Sequence, residues 1–217
     1  MEILKFTLSG KQAMFKKPEV NAIYYYTYGQ IHKPALLGMF GAILGYKGYN
    51  QQKSDKYPAY YQTLKSLQIS ILPNAQKGYF SKKISCFNNS VGYASREQGG
   101  NLIVKEQWLE YPSWDILVLL DCDEAKKLAD SIIERRCIYI PYLGKNDHLA
   151  DITQESIVEG NVQENIEQLD CLFPKDMAEL DEETNQYQLQ RFVYTDMILS
   201  NIKNTVWKVD GKQVVFY

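Results

Sequence analysis

Residues 114–120, WDILVLL, are apolar at every position except Asp115. A strand with one wet face alternates apolar and polar residues. This stretch does not alternate, so it predicts a central strand covered on both faces, within a sheet that carries packed layers above and below. The chain has 217 residues, 45% of them hydrophobic, enough for one elaborated domain or two small ones with a real core.

The other elements follow from periodicity. Leu4, Phe6 and Leu8 alternate with Lys5 and Thr7, which predicts a half-buried first strand. Residues 19–30 read as an extended, aromatic-rich loop. Pro34 then suits the first position of a helix over 34–46. Leu36, Phe40 and Ile43, flanked by Leu37 and Leu44, form one apolar face, while Gly38, Gly41 and Gly45 form another without side chains. Each glycine inside a helix costs up to about 1 kcal/mol against alanine, so another backbone must approach closely there. That backbone belongs to the chain's own sheet, a neighbouring subunit or a nucleic acid. The helix falls short of the roughly 20 residues of a membrane span. A short helix over 58–66 and a core strand over 67–72 come next. After 114–120, Asp121 or Asp123 can cap a helix in which Ala125, Leu128, Ala129, Ile132 and Ile133 keep helical spacing. Residues 138–142 read as a fourth strand, ended by the turn at Leu143-Gly144-Lys145-Asn146.

Between the second and third strands, residues 74–100 differ in character. Lys77, Lys82, Lys83 and Arg96 are interleaved with Tyr79, Phe80, Phe87 and Tyr93, and glycines mark turns. This predicts a basic β-hairpin excursion, with 102–109 returning to the body as a strand. Without the excursion the order is β-α-β-β-α-β, an α+β class of ferredoxin-like arrangement spanning residues 1–150. Residues 151–217 read as an acidic, β-rich appendage, with alternation over 187–194 and a hairpin at Asp210-Gly211.

Charge is distributed unevenly. Residues 1–105 hold 14 Lys and Arg against 4 Asp and Glu, a net of +10, whereas 106–150 carry −4 and 151–217 carry −8. A basic first half predicts a polyanionic partner, and the 17 tyrosines suit base stacking as well as packing. Candidate contacts to such a polyanion are Lys11, Lys16 and Lys17 after the first strand, and His32 and Lys33 at the positive end of the first helix. Lys77, Tyr79, Phe80, Lys82, Lys83 and Arg96 in the hairpin join them, as do Gly144, Lys145 and His148 in the later turn. Glycine at 144 would let the backbone approach the polyanion. The 4 cysteines show no metal spacing and read as free thiols of a reducing cytoplasm, and neither a metal nor another cofactor is expected.

Three stretches, LSGKQAMFKKPE, TYGQIHKPALLGMFGAILG and IPYLGKNDHLADI, resemble the Cas-five family of CRISPR-associated proteins within the RAMP superfamily, nearest to the subtype I-B kind. The resemblance implies a ferredoxin-like (RNA-recognition-motif-type) domain with a basic hairpin thumb, and 74–100 matches that place. It implies a subunit capping one end of the Cascade surveillance complex in antiviral defence. Such a subunit holds the 5′ handle of the CRISPR RNA and contacts the Cas-seven backbone and the Cas-eight large subunit, with target DNA near the protospacer-adjacent motif within reach. The subtype I-C branch of the family is a metal-independent endoribonuclease that uses tyrosine, lysine and histidine. Cleavage of that kind needs a base, an acid and a cation at one phosphate. His32 with Lys33, or His148 with Lys145, supplies parts of such a set, and each pair serves equally well to hold phosphate. This sequence lacks the branch's lysine-histidine pair on a strand, so RNA binding without catalysis is expected.

Overall fold

A computed structural model describes residues 1–18, 23–52, 54–93, 96–98, 100–164, 168–177, 179–180, 192–193, 199–200 and 202–217. In chain order the elements are β1 (Glu2–Ser9), β2 (Gln12–Ala13), α1 (Lys33–Leu44), α2 (Ala59–Leu64), β3 (Ile69–Pro73), β4 (Lys82–Asn88), β5 (Ile103–Glu110), β6 (Ser113–Leu119), α3 (Asp123–Ile133) and β7 (Asp151–Gln163). Two short pairs follow: β8 (Phe173–Pro174) with β10 (Phe192–Val193), and β9 (Glu179–Leu180) with β11 (Leu199–Ser200). The hairpin β12 (Val206–Val209) and β13 (Lys212–Val215) ends the series. The class is α+β with antiparallel sheets, and the main sheet runs β13-β12-β7-β1-β6-β3.

Residues 114–119 behave as their unbroken apolarity predicts. Trp114, Ile116 and Val118 enter one core with Leu4, Phe6 and Leu8 of β1 and the apolar faces of α1 and α3. Leu117 and Leu119 enter a second core on the opposite face, with Ile3, Phe173, Val206, Val214 and Phe216. Asp115, the polar exception, accepts hydrogen bonds from the Thr7 hydroxyl and the Asn74 amide, both at 2.8 Å.

The second core is closed by the sheet's two edges. Tyr217, following β13, donates to the Ile69 carbonyl of β3 at 3.2 Å, and Ile69 donates back at 3.3 Å. Leu172 N–H donates to the Ile71 carbonyl at 2.8 Å, and Asp170 N–H to the Gln213 carbonyl at 2.7 Å. The turn at Asp210-Gly211, with φ of 48° and 80°, is the expected hairpin, and Lys5 Nζ meets Asp210 at 2.6 Å.

Four expectations are corrected. The fourth strand is not 138–142 but β7, which pairs along β1. The N–H groups of Ile138 and Tyr139 instead donate to Ile43 and Ala42 at 3.0 and 3.1 Å, satisfying carbonyls at the end of α1. Residues 151–163 therefore belong to the same sheet as the first strand. The strand over 103–110 is the second arm of the hairpin, paired with β4 from Lys82↔Leu109 to Asn88↔Ile103, so the excursion runs on to Glu110. The residue capping α3 is Cys122, without a side-chain bond, while Asp123 and Glu124 sit in the first turn where the dipole favours them. Most of 187–194 lies outside the described residues.

Within the chain, Gly38 and Gly41 of α1 meet not the sheet but the tyrosine of α2. A Cβ on Gly41 would lie 2.5 Å from the Tyr60 Cβ, whereas one on Gly38 would touch only the Tyr60 ring, at 3.9 Å. Gly45 is the left-handed cap of the helix, φ 77°, with its N–H on the Ala42 carbonyl. Gly41→Ala is expected to destabilise by about 1–3 kcal/mol, as small-to-large changes in tight packing do. Gly38→Ala is expected to stabilise by about 0.5–1 kcal/mol. Urea denaturation of the two variants against wild type measures both signs.

Candidate nucleic-acid interface

The β4–β5 hairpin is two-faced. Along β4, Lys82, Ile84, Cys86 and Asn88 are exposed while Lys83, Ser85 and Phe87 are half-buried, the alternation of a pleated strand with one covered side. On the far side of β5 from β4, residues 25–28 are stitched in. Tyr25 N–H donates to the Lys105 carbonyl and Gln107 N–H to the Tyr25 carbonyl, both at 2.9 Å. Residues 14–17 join next, through Lys17 N–H to Tyr26 O and Tyr28 N–H to Phe15 O, both 2.8 Å. The Thr27 hydroxyl, buried, accepts from the Phe15 N–H and donates to the Tyr28 carbonyl, each at 2.9 Å. The described part of the expected aromatic loop is thus an added ply of the hairpin's sheet.

The exposed face gathers cations and aromatic rings. Lys105 Nζ lies 5.2 Å from the Tyr24 ring centre, and the Tyr24 and Tyr26 rings sit 6.0 Å apart. Lys17 Nζ lies 5.5 Å from the Tyr28 ring on this face, whereas Lys16 Nζ, 3.9 Å from the Tyr25 ring, falls on the other face, because Tyr25 is bridged to Glu106 and Lys16 to Thr27; such contacts are worth about 0.5–1 kcal/mol where exposed. Burial, reinforced by the neighbouring Lys17 ammonium, holds the Lys82 pKa below its ordinary value. Among the described residues no carboxylate lies within ion-pair distance of Lys16, Lys17, Lys82 or Lys105. An anion placed between Lys17 and Lys82 would relieve their repulsion.

The covered face has similar residue types and the opposite electrostatics. Glu106, 8% exposed, accepts from Lys145 Nζ at 2.7 Å and from the Trp108 indole N–H at 2.8 Å. Lys145 Nζ also sits 5.1 Å from the Phe87 ring centre, and Lys83 lies 3.6 Å from Glu110. The His148 ring stands edge-on to Trp108 at 4.8 Å and is 4% exposed. Burial lowers its pKa, with Asp147 and Glu106 opposing and Lys145 and Lys83 assisting that shift.

The remaining sequence candidates are dispersed. The His32 Nδ1 accepts the Ala35 N–H at 3.2 Å and caps α1, and burial lowers its pKa. Lys33 Nζ donates to the Tyr217 main-chain oxygen at 2.7 Å. The helix start is therefore occupied by its own side chains. Phe80 packs on Trp114 with ring centres 5.1 Å apart, whereas Tyr79 is 76% exposed beside Lys77. Lys11 and Arg96 are exposed. At Gly144, φ 87°, a Cβ would fall 1.9 Å from the Met14 carbonyl oxygen, so the close approach its glycine permits is to the chain's own backbone. Tyr24, Tyr26 and Lys105 are absent from the sequence-derived set. The YYY run was the available signal for the first two, and Lys105 needs the pairing register to be placed beside them.

No family model matches the sequence, and no curated protein matches it. Solved structures do match the fold. One is a CRISPR RNA-guided surveillance complex, 16% identical, with 68% of this chain and 60% of that chain covered at a TM-score of 0.51. A crystal structure of a CRISPR protein from Archaeoglobus fulgidus is 12% identical over 99% of this chain and 98% of that one, TM-score 0.49. A crystal structure of a Cas protein is 12% identical over 68% and 58%, TM-score 0.43. The chain thus spans about 60% of the length of the first of these. Among the described residues no three His, Cys, Asp or Glu side chains cluster as a metal site, and no helix is long and apolar enough to cross a membrane.

The two histidines set an acid limit to stability. Their folded pKa values lie below the ordinary 6.5, so as pH falls the unfolded chain takes up protons first. Stability is full above about pH 6.5 and declines as pH drops from there through the lowered folded values. Protonation of His32 also removes the acceptor that caps α1. In urea titrations at pH 7.5 and 5.5, His32→Asn is expected to keep the cap and shrink the loss, whereas His32→Ala costs about 1 kcal/mol already at pH 7.5.

Proposed function

We propose that the chain is a non-catalytic CRISPR RNA-binding subunit of a type I Cascade surveillance complex, of the Cas-five kind and nearest to subtype I-B. In this reading it acts in the cytoplasm in antiviral defence. It holds the 5′ handle and bridges the Cas-seven backbone and the Cas-eight large subunit, near the protospacer-adjacent motif of the target. The observation that carries it is the exposed hairpin face, where Lys17, Lys82 and Lys105 stand beside Tyr24 and Tyr26 with no carboxylate among the described residues within ion-pair distance. Cations that follow a backbone, next to flat rings for bases, are what single-stranded RNA requires.

Two further features support the reading. The order β7-β1-β6-β3, with α1 between β1 and β3 and α3 between β6 and β7, is the one a ferredoxin-like domain would have. The hairpin leaves that sheet where a thumb would. A non-catalytic role accords with the histidines: His32 is engaged as a helix cap and His148 is buried against Trp108, so neither is poised as a base on an exposed phosphate.

The test is binding and single-turnover incubation with labelled repeat RNA, without metal, at pH 7–8. Changing Lys17, Lys82 and Lys105 together to alanine is expected to flatten the slope of log affinity against log salt by about 2, at roughly 0.7 per phosphate contact on a single strand. Lys83→Ala is expected to leave the slope nearly unchanged, because its partner is Glu110. An unaltered slope in the triple variant removes RNA from the exposed face. Site-specific cleavage abolished by His32→Ala or His148→Ala moves the chain to the endoribonuclease reading.

A further inference from the structure

The surface holds a second feature whose chemistry differs from that of the hairpin. Ala35, Gly38 and Ala42, one turn apart along α1, form the floor of a groove of about 670 Å³. Tyr46 and Tyr49 line it as well, and Tyr139, Pro141 and Tyr142 form a wall. None of the described residues lining it is charged. Outside the wall, Ile138 and Ile140 are each 68% exposed, and Tyr49 is 66% exposed, so the apolar surface continues beyond the groove.

We propose that this groove docks an uncharged, apolar segment of a partner protein. The choice of occupant rests on charge and size. A nucleic acid brings a phosphate with every base, and no described lining side chain offers a cation to meet one. A charged peptide would leave its own ions unpaired against tyrosine rings, at the cost of burying them. The volume lies within the roughly 300–1,000 Å³ of sites that engulf most of a drug-sized body, and so accommodates several neighbouring side chains. Tyrosine walls add flat apolar area with hydroxyl tips able to reach a peptide backbone. Exposed isoleucines continuous with a groove are the mark of a protein contact. The small residues of α1 thereby acquire two uses: Gly41 seats Tyr60, and Gly38 keeps the groove floor open.

The proposal stands apart from the RNA reading, and its test keeps the two separate. Random dodecapeptides displayed on phage are selected on the full chain, and enriched sequences are synthesised and measured by fluorescence anisotropy. Gly38→Leu fills the floor at a site where an added Cβ meets only the Tyr60 ring, at 3.9 Å. Tyr142→Ala, at a side chain 46% exposed, removes part of the wall without touching a core. Enriched peptides are expected to be apolar and uncharged, and both variants to weaken them at least tenfold. The Lys17, Lys82, Lys105 triple alanine variant is expected to bind them as wild type does. The proposal is overturned if nothing enriches, if enriched peptides are charged, or if both variants bind them unchanged. It is overturned as well if oligouridylate competes for the groove. A wild-type chain that sediments as a dimer while Gly38→Leu is monomeric would assign the groove to a second copy and overturn it too.

Discussion

Trp114, Ile116 and Val118 point into one core while Leu117 and Leu119 point into another, and neither core closes without chain from distant parts of the sequence. On the first face α1 and α3 supply the cover. On the second, the cover is the C-terminal hairpin with residues 169–173, drawn across until Tyr217 meets Ile69. Burying β6 on both sides therefore goes with β7, β12 and β13 joining the same sheet as the first strand. The sheet's outer strands are occupied rather than bare, which removes the pairing hazard of open edges.

The parts of this arrangement visible in the sequence are those whose burial leaves a period. The alternation of Leu4, Phe6 and Leu8, the unbroken run at 114–119 and the helical spacing from Ala125 to Ile132 all correspond to observed elements. β7 was hidden because a long strand rich in Glu, Gln, Asn and Gly has little apolar signal of its own. Its place is fixed by pairing with β1, through a register shift between Lys5 and Thr7. Residues 138–142 misled for the converse reason. Their isoleucines look like a strand's buried side, yet they are exposed, and the backbone there serves the end of α1.

The candidate site was legible in composition and not in geometry. The hairpin's basic and aromatic content marks it as a surface of interest, but both of its faces carry lysines beside rings. Strand alternation divides them. Lys83 and Lys145 fall with Glu110, Glu106 and Trp108, and their charges are largely cancelled. Lys82 falls on the other side with Lys17 and Lys105, where no carboxylate among the described residues lies within ion-pair distance. A one-residue change of register would exchange the two sets, which is why spacing alone cannot rank these lysines as ligands. The same holds for His32 and Gly144: each has the right chemistry for phosphate contact, and each is already used, one by the Ala35 N–H and the other by the Met14 carbonyl.

The charge division of the sequence persists in space. An acidic last third could have been folded against the basic half to neutralise it. Among the described residues the one side-chain ion pair joining 1–105 to 151–217 is Lys5–Asp210, at the sheet and away from the hairpin. Asp170 pairs with Lys212 of its own third, and Glu155 with Arg135 of the middle segment. The two carboxylates of the hairpin's strands, Glu106 and Glu110, are directed to the covered face. Among the described residues no carboxylate comes within ion-pair distance of Lys17 or Lys82. Under the proposed RNA-binding reading, lysines placed in this way would attract a polyanion and release its counterions.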